Sequence, residues 1–151
     1  MSTRGTILTA DFDSPYKGNV RLQSFVVATG ATIYKGALCY INASGLLAAV
    51  PQDDGATDNS ALRVVGQAVE AVASAAAGAK LTVRTETVVR LANLSGNDIA
   101  QAQVGDLCYA PSDNEVSKTQ ANGSGKAPAA GVIMEVDSDG VWVYLSPMKP
   151  S

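Results

Sequence analysis

The amino-acid pattern predicts an all-β protein built from two pseudo-repeats, with an extended N-terminal arm. Three observations carry this. Apolar runs with the 3.6-residue period of a helix are scarce. Gly and Val are abundant, and turn signals recur at short intervals. Finally, Gly36-Ala-Leu-Cys-Tyr40 returns 69 positions later as Gly105-Asp-Leu-Cys-Tyr109, with Leu and Cys-Tyr in register. Each copy leads through a turn and a polar loop into a similar apolar strand, Val65-Gly-Gln-Ala-Val-Glu70 or Ala130-Gly-Val-Ile-Met-Glu135. Leu81-Thr-Val-Arg84 and Val141-Trp-Val-Tyr-Leu145 close the two halves. The chain divides into an arm, 1–24, and a single β-domain, 25–151, whose repeats span about 30–91 and 99–146.

In the arm, Thr, Asp, Ser, Gly and Asn dominate, and Ile7, Leu8, Phe12, Tyr16 and Val20 stand isolated. Twenty extended residues reach about 65 Å, and such a segment is either disordered alone or ordered by a neighbour. The spaced apolar residues favour docking. The first strand-like run is Leu22 to Val27. In Ala37-Leu-Cys-Tyr-Ile41, Leu38 and Tyr40 share one face and Ala37, Cys39 and Ile41 the other; both faces are apolar, so the strand is expected to be buried on both. Asn42-Ala-Ser-Gly45 is a hairpin-type turn. The loop 51–60, with three Asp and no apolar anchor, is expected to be exposed and mobile.

Leu62 to Val72 is strand-like, and the Ala-rich 71–79 has room for one helical turn at most. Leu81 to Leu91 reads as one long strand or two with a bend. Asn97 or Asp98 is placed to cap a brief helix through Gln103. In the second half, Pro111-Ser-Asp-Asn114 is a turn, Asn114 to Thr119 a return strand, and Gln120 to Lys126 a Gly-rich exposed loop. In the last strand Val141, Val143 and Leu145 share one face, and Trp142 and Tyr144 the other, as core or as a partner-facing pair. Pro147 and Pro150 stop further pairing.

Composition bounds the function. The 151 residues favour one domain, since each half alone is marginal. Hydrophobic residues make up 46% of the chain but aromatics only 5%, which implies a thin core of Ala and Val and makes burial against a partner worthwhile. The net charge of −3 argues against a nucleic-acid partner. Residues 1–35 carry +2 and the remainder −5, a mildly basic front suited to an acidic surface. Neither a membrane-spanning run nor the apolar core of a signal peptide is found, so synthesis in a cytosol is expected, with Cys39 and Cys108 as free buried thiols.

Little in the chain carries catalytic chemistry. The sequence has no His, which removes Ser–His–Asp and Cys–His pairs and all His metal sites. Gly123-Ser-Gly-Lys126 lacks the flanking residues of a P-loop. Asp53, Asp54 and Asp58, and separately Asp137 and Asp139, fall short of a calcium-loop ligand set. Neither enzyme activity nor any cofactor or metal is expected.

Four segments carry a resemblance: Ile33-Tyr-Lys-Gly-Ala-Leu-Cys-Tyr-Ile41, Val65-Gly-Gln-Ala-Val-Glu70, Val104-Gly-Asp-Leu-Cys-Tyr109 and Ala130-Gly-Val-Ile-Met-Glu135. Over roughly 25–146 the chain resembles the small head decoration (cement, capsid-fibre-like) proteins of tailed bacteriophages. Ala37, where the second copy has Asp106, and the Ala-rich 71–79 depart from the family pattern. The resemblance implies a barrel- or tulip-like body and a homo-oligomer, with a trimer favoured. It places that oligomer on the outer capsid surface of a virion made in a bacterial cytoplasm, and gives it arms that clamp the major capsid protein. The residues expected to make that contact are Arg4, Ile7, Phe12, Tyr16, Lys17 and Arg21. The other reading is a virion-surface module recognising a host glycan or receptor through loops 51–60 and 120–126.

Overall fold

The computed structural model describes residues 3–96 and 99–146. The chain is all-β, with two sheets of antiparallel strands. Among the described residues the one helical element is a 3-10 turn, Gln101–Gln103. The capping role read at Asn97 or Asp98, and the stops at Pro147 and Pro150, lie outside the described residues.

The first half supplies β1 (Tyr16–Lys17), β2 (Arg21–Val26), β3 (Leu38–Ile41), β4 (Leu47–Ala49), β5 (Arg63–Ala68), β6 (Lys80–Thr85) and β7 (Thr87–Asn93). The second supplies β8 (Leu107–Tyr109), β9 (Glu115–Val116), β10 (Ala121–Asn122), β11 (Gly125–Lys126), β12 (Ala129–Asp137) and β13 (Gly140–Leu145). One sheet has the order β1-β7-β13-β12-β8, with β9 lying parallel to β7; the other runs β2-β6-β5-β3-β4. β10 and β11 form a separate small hairpin.

The run from Leu81 to Leu91 is two strands, and they belong to different sheets. Only Glu86 separates β6 from β7, and its φ of 53° makes the bend. A non-Gly residue in that region is uncommon. The side chain, reaching Arg21 Nη1 at 3.1 Å, ties the crossing to the start of β2.

Two cores follow from strand alternation. Leu38 and Val64 face the first sheet and pack with Val89, Leu91, Cys108, Ile133, Val141, Val143 and Leu145. Ala37, Cys39, Val65, Leu81 and Val83 point the other way and are covered by Val27, Ile33 and Ala75. The double burial expected of the strand at 37–41 is therefore what β3 shows. Trp142 is buried beside its half-exposed neighbour Tyr144. Cys39 and Cys108 are free, buried thiols, and burial pushes Cys108 up to about 12 and raises Cys39 as well.

Small residues let neighbouring strands within each sheet approach closely. Cys39 stands opposite Gly66, and Cys108 opposite Gly131. A Cβ at Gly66 would collide with the Arg84 carbonyl oxygen, and one at Gly131 with that of Tyr144. The hydrogen bonds match too. Gly36 N–H donates to Ala68 O and Gly105 N–H to Ile133 O, both at 2.8 Å. Ala68 N–H donates to Ala37 O, and Ile133 N–H to Asp106 O, both at 2.9 Å. Gly66→Ala and Gly131→Ala are each expected to destabilise the fold by about 1–3 kcal/mol through overpacking. Urea unfolding of the two variants checks this, and wild-type midpoints would refute the steric account.

Candidate functional site

The arm lies along the body, and its backbone is hydrogen-bonded at intervals. Arg4 N–H donates to Asp53 O at 3.0 Å. Thr6 N–H donates to Glu115 Oε1 at 2.6 Å and Leu8 N–H to Asp113 Oδ1 at 2.9 Å. In the other direction, Gln52 Nε2 donates to Gly5 O at 2.6 Å and Asn114 Nδ2 to Thr6 O at 2.7 Å. Further along, Phe12 N–H donates to Lys35 O at 2.8 Å, and Ser14 Oγ to Arg90 O at 2.9 Å. β1 then pairs with β7, and β2 starts at Arg21, inside the stretch read as arm.

This segment has few apolar residues of its own to bury, so polar groups do the fixing. An extended chain has many unpaired N–H donors, and carboxylates on the body accept from them. Asp113 is itself buried, which raises its pKa above the usual carboxylate value.

The six residues singled out in the sequence separate into three groups. Arg4 points inward. Its Nε lies 2.6 Å from Asp53 Oδ2, and its Nη atoms donate to Thr119 Oγ1 at 3.2 Å, Thr119 O at 3.0 Å and Gln120 O at 2.8 Å. Asp53 is only 2% exposed and also accepts from Gly55 N–H at 2.9 Å. Ile7, Phe12 and Tyr16 face outward, with 45%, 46% and 53% of their surfaces exposed. Lys17 and Arg21 form surface ion pairs, Lys17 with Glu135 at 2.8 Å and Arg21 with Glu86 at 3.1 Å. Pairs this exposed add little stability. Lys17 Nζ also sits 4.2 Å from the centre of the Trp142 ring.

Loop 51–60 differs from the exposed, unanchored loop expected. Its anchor is polar: Asp53 is held inside by Arg4. Asp54 folds the next turn, accepting from Ala56 N–H at 2.8 Å, Thr57 N–H at 2.7 Å and Thr57 Oγ1 at 2.6 Å. Loop 120–126 packs alongside, with Asn59 N–H donating to Lys126 O at 2.9 Å and Lys126 N–H to Thr57 O at 3.1 Å. Sequence reading missed Asp53, Asp113 and Glu115 as receptors of the arm. Their only signal was acidic residues in turn-like surroundings, which is shared by many residues that hold nothing.

Among the described residues, no group of three or more His, Cys, Asp or Glu is placed to hold a metal ion. No helix there is long and apolar enough to cross a membrane. Comparison with family models, with curated proteins and with solved structures finds no match.

Two outcomes test this arrangement. Arg4→Ala leaves a buried carboxylate without its counter-charge and is expected to cost about 3 kcal/mol, read from chemical denaturation; a loss near zero would mean that the arm is not locked. The second concerns acid. Hydrogen bonds from Thr57 and Ala56 depress Asp54 from 3.8 to about 2. A depressed carboxylate stabilises the fold above its unfolded value and loses that contribution as pH falls through its folded value. Between pH 3.8 and about 2, the melting temperature of the wild type is expected to fall more steeply than that of Asp54→Ala. Parallel melting curves across that window would remove Asp54 from the account.

Proposed function

We propose that this chain is a structural virion protein that binds the outer surface of a phage capsid and stabilises the mature head, its arm contacting neighbouring subunits of the major capsid protein. One observation carries the reading. Ile7, Phe12, Tyr16 and Leu22 are exposed large apolar side chains on a segment whose backbone is tied down. Elsewhere among the described residues such exposure is confined to Val104, Met134 and Tyr144. Apolar side chains exposed along one ordered segment mark a surface that expects cover. A segment already ordered loses less entropy on binding than a free tail.

The resemblance of the four strand motifs supplies the partner, the virion location and a homo-oligomer with a trimer favoured. It also supplies the reading of the body as a barrel- or tulip-like fold made from one unit used twice. That duplication draws support from the paired contacts of Cys39 with Gly66 and Cys108 with Gly131. Physical logic agrees with the role. A protein that binds only the assembled shell stabilises it by mass action, and many symmetric copies reinforce one lattice.

Deleting the whole arm is a poor test, because it removes β1, the start of β2 and the Arg4 lock. The double variant Ile7→Ser, Phe12→Ser touches only outward side chains. It is expected to change stability by no more than about 1 kcal/mol and to reduce occupancy on purified heads, scored by co-sedimentation and cryo-electron microscopy. A variant that saturates heads at the wild-type concentration would sink the arm's role.

A further inference from the structure

A second feature lies where β1 and β2, edge strands of different sheets, come together. Leu22, Arg84 and Gln67 stand side by side on β2, β6 and β5, and Leu38 on β3 continues the row. Leu38 is in the core between the sheets, whereas Leu22 is 60% exposed, so the row runs from the interior to the rim. Arg84 stands just inside that rim, only 8% exposed, with the Tyr16 ring 4.6 Å from its guanidinium carbon.

Its Nε and Nη1 have no hydrogen-bond partner, and neither do the nearby Gln67 Oε1 and Thr85 Oγ1. Arg4, Arg21 and Arg90 each have a carboxylate within 4.0 Å, but among the described residues Arg84 has none. Asp13 is near enough to act on it through charge, yet is committed to Lys35 at 2.5 Å. Burial lowers the pKa of Arg84. A guanidinium is a fork of N–H donors shaped for a carboxylate, and leaving one desolvated and unpaired is costly. Around it Tyr16, Val20, Leu22 and Val69 line an opening of about 340 Å³.

We propose that this opening receives an acidic side chain from a protein partner, with Arg84 taking the carboxylate and the Leu22–Val20–Val69 wall taking an apolar residue beside it. The half-exposed Tyr16 turns aside as the carboxylate replaces its ring face as the partner of Arg84. The charge balance agrees, since residues 1–35, which carry Tyr16, Val20 and Leu22, have a net +2. The inference deepens the capsid-binding reading, and rests on it for the partner being a protein surface.

The test is an NMR titration of the isolated full chain with the peptide acetyl-Leu-Glu-Leu-amide, following the Arg84 Nε–H and Leu22 methyl signals. The peptide with Gln in place of Glu is the control. The Glu peptide is expected to give saturable shifts and to bind at least about tenfold more tightly than the Gln peptide, since one charge-assisted contact is lost. Arg84→Lys, which keeps the charge but not the fork, is expected to weaken binding about tenfold. Leu22→Ser, at the exposed rim, is expected to keep the fold and to weaken binding by a smaller factor, so the test stands even if the Arg84 variant fails to fold. Equal binding of the two peptides, no saturation, or undiminished binding to the Leu22→Ser chain overturns the pocket assignment. That failure is separate from a failure to coat heads, which would overturn the capsid reading alone.

Discussion

The close approach of small residues is the constraint on which the remaining structure depends. With few aromatics available, burial here must come from many short side chains packed at short range. Glycine opposite cysteine at Gly66 and Gly131 is what permits that range. It lets β5 lie tight against β6 and β12 against β13. The same economy explains why β3 is buried on both faces: one strand of ordinary residues contributes to two cores at once.

The arm solves a different problem by different means. It has too few apolar groups to bury, so charged and amide groups on the body meet its backbone instead. Arg4 and Asp53 form the innermost of these contacts, and Asp113 and Glu115 extend the line. Because the backbone is tied down, the apolar side chains between the ties are free to face away from the body. Order in the main chain and exposure of Ile7 and Phe12 are thus two sides of one arrangement.

Much of the β-body was legible because periodicity is a local signal. The alternation of Leu38 and Tyr40 against Ala37, Cys39 and Ile41 marked a doubly buried strand, and the packing of β3 shows the reason. For Leu81 to Leu91 the sequence left one long strand and two strands with a bend both open, and the structure has the bend. That it carries the chain from one sheet to another was not legible, because no residue near Glu86 announces which strands will be its neighbours. That the arm docks on its own body through polar groups was illegible for a related reason. Asp53, Asp113 and Glu115 lie 49, 105 and 109 residues from their contacts, and a carboxylate in a turn looks the same whether it holds water or a distant N–H. Arg84 also read simply as the end of a strand, since the lack of a counter-charge is a property of its surroundings.

The single-residue passage at Glu86 couples the two sheets in phase. Side chains alternate with a period of two, so the parity of residues between Val83 and Val89 fixes that Val83 enters the second core while Val89 enters the core between the sheets. An extra residue at that point would invert one sheet relative to the other and turn Val89 and Leu91 out of the core, and a two-residue change would preserve the pattern. The two layers therefore behave as meshed gears rather than as beads on a string, and natural variation in length is better tolerated in the polar loops at 51–60 and 120–126 than at this joint.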